Sequence, residues 1–233
     1  MQFVVDPRIF EMMPEACFYV LAARNVLLDQ PNDFTDRLMA FEVRRMSLRF
    51  DGIPVKEHPA IVPYREAFSA LNINPNKYPS SIEALTTRVL KSGSMPRVNA
   101  VVDLVNAISL RYLVPMGAHD LDQLRDDLMV RPAAVGDLFQ PFGGETIESP
   151  EPGEVVYASG NTVKTRRWIW RQSEDGKITE SSRNILFPID AFRGRNQESA
   201  ELAVSELSRL LVDLSGCSVV TGLVDRDHPA FIM

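Results

Sequence analysis

Cysteine and histidine are scarce in this 233-residue chain, with 2 Cys and 3 His. That is too few, and too scattered, for the spacings that hold a structural or catalytic metal, and no metal site or other cofactor is expected. Cys17 and Cys217 are far apart in apolar surroundings, so both are expected to be buried free thiols rather than a bridge. A Gly-x-Ser-x-Gly nucleophile elbow is missing too, as is any evident Cys–His pairing, which leaves no covalent nucleophile of the usual kinds. No apolar run approaches the roughly 20 residues that cross a bilayer. The N-terminus, Met1-Gln2-Phe3-Val4-Val5-Asp6-Pro7, lacks the basic then apolar order of a secretory leader. The expectation is a cytoplasmic protein with no membrane partner. An excess of positive charge is also lacking. The net charge of −6 argues against general nucleic-acid binding, DNA included, although a local basic face is compatible with it.

What is present is the balance of a globular protein, 45% hydrophobic and 24% charged, at a length that one domain spanning 1–233 accommodates. Phe3-Val4-Val5 and Phe18-Tyr19-Val20-Leu21-Ala22 read as early strands. A helix follows Asn32-Asp33, and a second begins near Pro59 with Ile61, Tyr64, Phe68 and Leu71 along one face. A third opens at Pro79-Ser80-Ser81 and stops at Gly93. The stretch from Asn99 to Leu113 has the pattern of a buried helix, with Asp103 and Asn106 on one face. Short strands then follow at Leu128-Met129-Val130-Arg131, Val155-Val156-Tyr157-Ala158, Val163 to Trp170 and Asn184-Ile185-Leu186-Phe187. A helix from about Glu198 to Asp213 and a strand from Cys217 to Leu223 close the chain. The order implies an α+β fold, a mixed or antiparallel sheet with helices packed on one side.

Two segments carry candidate chemistry. His119 stands in a polar turn directly before Asp120, where an imidazole titrates near neutral pH; the other role open to it is a structural bond to a backbone carbonyl. Asn106 and Asp103 either face a cleft or cap the turn that holds His119. In Arg166-Arg167-Trp168-Ile169-Trp170-Arg171-Gln172-Ser173, strand alternation puts Arg167, Ile169 and Arg171 on one face and Arg166, Trp168 and Trp170 on the other. Such a ribbon stacks a ring and holds a phosphate or carboxylate, or else the tryptophans are core and the arginines pair with acids.

Six pieces fall in a characteristic order: Pro79-Ser80-Ser81-Ile82-Glu83-Ala84-Leu85, Arg97-Val98-Asn99, Val102-Asp103-Leu104-Val105-Asn106, Pro115-Met116-Gly117-Ala118-His119-Asp120-Leu121-Asp122, Pro152-Gly153-Glu154-Val155-Val156-Tyr157-Ala158 and Ile178-Thr179-Glu180. Together they resemble the B3/B4 editing domain of the phenylalanyl-tRNA synthetase β subunit, here standing alone, most clearly over residues 60–190. The resemblance implies the B3/B4-like fold, an aminoacyl-tRNA partner contacted at its 3′ end, and hydrolysis of a misacylated ester, the second sieve used where one pocket cannot separate near-isosteric side chains. Aminoacylation is not implied, because the ATP-binding core of a synthetase is absent. The family's pocket uses a His and a Glu. Aligned on Asp120-Leu121-Asp122, the family His falls on Gly117, and His119 stands where the family has Phe. The corresponding acid is Glu174 or Glu180. His119, Glu174 and Glu180 are thus the catalytic candidates, and Asn106, Arg167, Trp168, Trp170, Arg171 and Gln172 the substrate-binding ones. The other reading is a non-catalytic binding module for tRNA, a protein partner or an amino-acid-like ligand.

Overall fold

A computed structural model describes all residues, 1–233. Ten strands and six α-helices follow one another as β1 (Gln2–Val5), α1 (Pro7–Met12), β2 (Ala16–Arg24), α2 (Asp33–Arg49), α3 (Val62–Ala70), α4 (Ser81–Ser92), α5 (Ala100–Tyr112), β3 (His119–Asp120), β4 (Leu128–Pro132), β5 (Val155–Ser159), β6 (Thr162–Arg166), β7 (Arg171–Gln172), β8 (Ile185–Phe192), α6 (Gln197–Ser215), β9 (Ser218–Val224) and β10 (Ala230–Ile232). The fold is α+β, as the sequence pattern implies, but the strands divide into two sheets. One is six-stranded and mixed, in the order β10-β1-β4-β5-β6-β7; the other is four-stranded, in the order β3-β8-β2-β9. The β1–β4 pair is the parallel one. The four-stranded sheet is antiparallel throughout.

Helix boundaries follow from side-chain chemistry. Asn32, Ser80 and Asn99 each accept a backbone N–H from the first turn of α2, α4 and α5, satisfying donors that a helix start leaves orphaned. Gly93 and Gly216 take the left-handed conformation that ends α4 and α6. α5 is buried along most of its length, and Arg97 grips Asp103 at 2.9 Å, so Asp103 caps the chain entering the helix.

The largest fully buried side chains include Trp168, Tyr64, Tyr157, Phe3 and Phe18. They belong to one apolar cluster that extends through both sheets and α2 to α6. Cys17 and Cys217 are buried and unpaired, and burial pushes the Cys17 thiol up to about 12. No helix is long and apolar enough to cross a membrane.

The stretch Val163 to Trp170 departs from the expected single strand. β6 stops at Arg166, and Arg167 and Trp168 both adopt left-handed backbone, with φ of 47° and 59°. The chain turns there, with the Trp170 N–H reaching back to the Arg166 carbonyl at 3.3 Å. Alternation therefore fails beyond Arg166. What holds the turn is the burial of Trp168, whose backbone N–H bonds the Val155 carbonyl at 2.6 Å, together with Glu154, which accepts the Arg167 N–H at 3.1 Å. These interactions offset a conformational cost of about 1–2 kcal/mol per left-handed residue.

Candidate functional site

A cleft opens where the ends of α5 and α4, the turn before β3, the turn after β6 and the middle of β8 meet. It has two connected chambers, which share Met116, Trp170, Arg171 and Gln172 in their walls. The inner one, of ≈ 70 Å³, is lined by polar groups that include Ser81, His119, Tyr157, Thr165, Gln172 and Asp190. The outer one, of ≈ 370 Å³, is mostly apolar, with Val98, Val102, Val105, Phe142 and Ile178 in its walls and Asn106 and Lys177 adding to the shared Arg171 and Gln172 as its polar points.

Asp190 dominates the inner chamber. It is 2% exposed, yet its partners are two neutral donors on the same oxygen: the Tyr157 hydroxyl donates to Oδ1 at 2.6 Å and the Trp168 indole N–H at 2.7 Å. Oδ2 has no hydrogen bond within the chain and is left to the cavity. Burial pushes this carboxyl up to about 7, against the pull of those two hydrogen bonds. The surrounding scaffold is itself fixed. The Tyr64 hydroxyl donates to the Asp190 carbonyl at 2.8 Å and accepts from Asn196 at 2.8 Å, and the Asp190 N–H bonds Pro115 at 3.2 Å.

His119 is buried in the wall of the same chamber, with its ring stacked on Tyr157 at 5.8 Å and 19°. Its Nδ1 is enclosed without a partner. Burial, with the Lys164 ammonium nearby, pushes the imidazole down to about 3, so the expected titration near neutrality gives way to a neutral ring across the physiological range. Gly117 explains how the ring fits. A Cβ there would lie 3.3 Å from His119 Nε2 and 3.1 Å from Pro188 Cγ, so a side chain at Gly117 would compete with the imidazole for one space. Lys164, almost fully buried, pairs with Asp175.

Of the sequence candidates, His119, Trp168, Trp170, Arg171, Gln172 and Asn106 all line the cleft. Gln172 is held by its amide donating to the Ala118 carbonyl at 2.8 Å. Arg167 caps the rim: its guanidinium lies 3.9 Å over Tyr78 and 4.8 Å over Trp170, so aromatic stacking and not strand alternation places it. Arg166 is withdrawn into ion pairs with Glu148 and Glu154. Glu174 lies apart from the cleft walls, in an acidic depression with Asp120 and Asp175; it pairs with Lys177 and accepts the Gly143 N–H at 3.0 Å. Glu180 is exposed on the loop before β8.

Asp190 and Tyr157 are the site groups that sequence reading did not single out. The signal was there in Ile185-Leu186-Phe187-Pro188-Ile189-Asp190-Ala191-Phe192, a lone acid in an otherwise apolar run. Pro188 hid it by suggesting that the strand ends. The strand continues because the Pro188 carbonyl accepts from Gly117 at 2.9 Å. Its nitrogen faces that same side, beyond the two-residue β3, where no ladder bond is owed.

A buried acid and a buried imidazole thus line the polar chamber at the end of an apolar one, with guanidinium groups close to its mouth. Residues 63–215 match the family described as B3/4 domain, and the chain belongs to that family. It is similar to phenylalanine–tRNA ligase β subunits: 27% identical over 180 residues to that of Dehalococcoides mccartyi (strain CBDB1), a match covering 68% of this chain and 22% of that protein. The subunit of Listeria monocytogenes serotype 4b is 26% identical over 198 residues, covering 74% of this chain and 24% of that one. The chain thus spans about a quarter of the length of these relatives. A solved N-terminal fragment of the phenylalanyl-tRNA synthetase β subunit from Pyrococcus horikoshii aligns over 93% of this chain and 49% of its own, with a TM-score of 0.48 at 10% identity.

Proposed function

We propose that this chain binds the aminoacyl 3′ end of a tRNA and hydrolyses a misacylated ester, in the cytoplasm. One observation carries the reading: in a B3/4 domain, an apolar chamber of ≈ 370 Å³ opens directly onto a polar chamber of ≈ 70 Å³. The first suits an amino-acid side chain and the second suits a reacting group with water. Arg167 and Arg171 at the rim supply positive charge and stacking for the terminal nucleotide.

In the reaction, a water oxygen attacks the ester carbonyl carbon, the bond from that carbon to the ribose oxygen breaks, and the proton from water goes to the ribose oxygen. Free amino acid and tRNA result. His119, neutral at working pH, serves by hydrogen bonding and not as a cation. Glu174 and Glu180 lie on the loop that follows β7, and they enter the proposal as groups on a flanking segment.

The test is deacylation of a panel of correctly and incorrectly charged tRNAs. We expect one mischarged species to be hydrolysed, and His119→Ala to slow the reaction by about a hundredfold, the scale of a positioned hydrogen-bonding group. Glu174→Ala and Glu180→Ala measure what the flanking loop contributes. A folded protein that turns over no species refutes hydrolysis and leaves a non-catalytic binding module. That second reading is favoured by Gly117, which stands where the family His falls.

A further inference from the structure

The polarity of the cleft contains more information than its shape. A buried acid lies at its inner end, and the guanidinium of Arg171, which has no acidic partner, lies in the wall the two chambers share, with Arg167 and Lys177, paired to Glu154 and Glu174, close by. A ligand complementary to this order has a positive group at one end and a negative group at the other, as an aminoacyl ester of a nucleotide does.

We propose that the inner chamber is an ammonium-binding subsite in which Asp190 Oδ2 takes a primary amine of the ligand. Asp190 is buried and its side-chain partners are two neutral donors, both on Oδ1. A buried carboxylate with no cation is costly unless it is protonated or a partner arrives. The free oxygen faces a cavity of ≈ 70 Å³, space for an amine head of about two water-sized groups, at roughly 30 Å³ each. Tyr157, Trp168 and Trp170 form aromatic walls there, which favour a desolvated cation. Burial pushes the carboxyl up to about 7, and a bound ammonium would draw it down. The amine can come from the α-position of the aminoacyl group or from its side chain.

No neighbouring group titrates in the same range. From β5, Tyr157 is held well above 10 by burial, and so is Tyr64 from α3. His119 from β3 is down at about 3. Cys17 from β2 is up at about 12. Lys164 from β6 is paired with Asp175, and Arg193, beyond the end of β8, with Asp225. The subsite rests on the aminoacyl-ester reading only for the identity of its natural ligand.

The experiment titrates three probes into the full chain by calorimetry from pH 5 to pH 8: L-phenylalaninamide, N-acetyl-L-phenylalaninamide and Nα-acetyl-L-lysinamide. An amine-bearing probe is expected to bind, with affinity rising about tenfold per pH unit below the Asp190 midpoint as the carboxyl ionises. Binding of phenylalaninamide assigns the α-ammonium, and binding of acetyl-lysinamide assigns a side-chain ammonium. Asp190→Asn keeps an oxygen for Tyr157 and Trp168; it is expected to lower the affinity at least about tenfold and to flatten the pH dependence. The wild-type pH profile reads the same group without any substitution. The proposal is overturned if neither amine binds more tightly than N-acetyl-L-phenylalaninamide, or if binding is unchanged in a folded Asp190→Asn protein. Hydrolysis is read separately: deacylation without amine discrimination refutes the subsite alone, and amine binding without deacylation refutes turnover alone.

Discussion

Asp190 and His119 are buried in the walls of one chamber, each forced toward its neutral form, and they pull stability in opposite directions with pH. Asp190 has its carboxyl raised from 3.8 to about 7. Between those values the folded chain holds a proton that the unfolded chain has released, so this group costs stability as pH rises through the window. His119 is depressed from 6.5 to about 3. Between those values the unfolded chain holds the proton, so this group costs stability as pH falls. From about pH 4 to 6.5 the two contributions nearly cancel, each amounting to about 1.4 kcal/mol per pH unit where its proton difference is complete. Asp190→Asn removes one side of the balance. We expect its unfolding free energy, relative to wild type, to rise by about 1.4 kcal/mol per unit as pH increases from 4 to 6.5. Urea denaturation of both proteins across that range checks it, and parallel pH dependences would show that the Asp190 carboxyl is not held up in the fold. Other acids, such as Asp137 and Asp225, whose hydrogen bonds and ion pairs lower them, contribute equally to both proteins and drop out of the difference.

At the scale of elements, the signals that could be read were those with a local cause. Asn32, Ser80 and Gly93 mark helix ends because capping chemistry acts within one turn, and β2, β4 and β5 fall within apolar runs. What escaped has a non-local cause. The turn at Arg167 and Trp168 exists because Trp168 is drawn into a core built by Tyr64, Phe68 and Phe192, none of them near in sequence. The partition into two sheets depends likewise on strand pairings such as β1 with β10, at opposite ends of the chain. The cleft was legible from the Arg–Trp ribbon and from His119, while Asp190 needed the pairing of β8 with β2 to show that its strand runs past Pro188. The β10 contact also yields a test. Gly222 in β9 leaves room for the Phe231 ring, since a Cβ there would lie 2.3 Å from Phe231 Cδ2. Gly222→Ala must displace that ring, with an overpacking cost of about 1–3 kcal/mol. The loss should appear as lower thermal stability and faster amide exchange in β10, while the cleft, lined by none of these residues, keeps its ligand affinity. Unchanged exchange in β10 would show that the terminal strand does not depend on this contact.

For the molecule as a whole, the net charge of −6 sets the terms on which it can meet a polyanion. The net charge gives no overall attraction, so any hold on tRNA must come from local cations at the cleft, where Arg171 has no acidic partner while Arg167 lies 3.7 Å from Glu154 and Lys177 pairs with Glu174. Most other basic side chains near the site are already spent, Arg166 on Glu148 and Glu154 and Lys164 on Asp175. Such a protein should read an end rather than a surface: a small number of phosphates neutralised, and a correspondingly shallow dependence of affinity on salt. Each phosphate contact to a single strand contributes about 0.7 to the slope of log K against log salt. We therefore expect a slope of only about −1 to −2 for aminoacyl-tRNA, with Arg171→Ala reducing its magnitude by about 0.7, as read by fluorescence anisotropy over a salt series. Binding of L-phenylalaninamide, which carries no phosphate, should be far less sensitive to salt, because its one charge is met inside the protein, where screening is weak. A steep slope left intact by Arg171→Ala would move the RNA contact to another face of the molecule and separate it from the cleft.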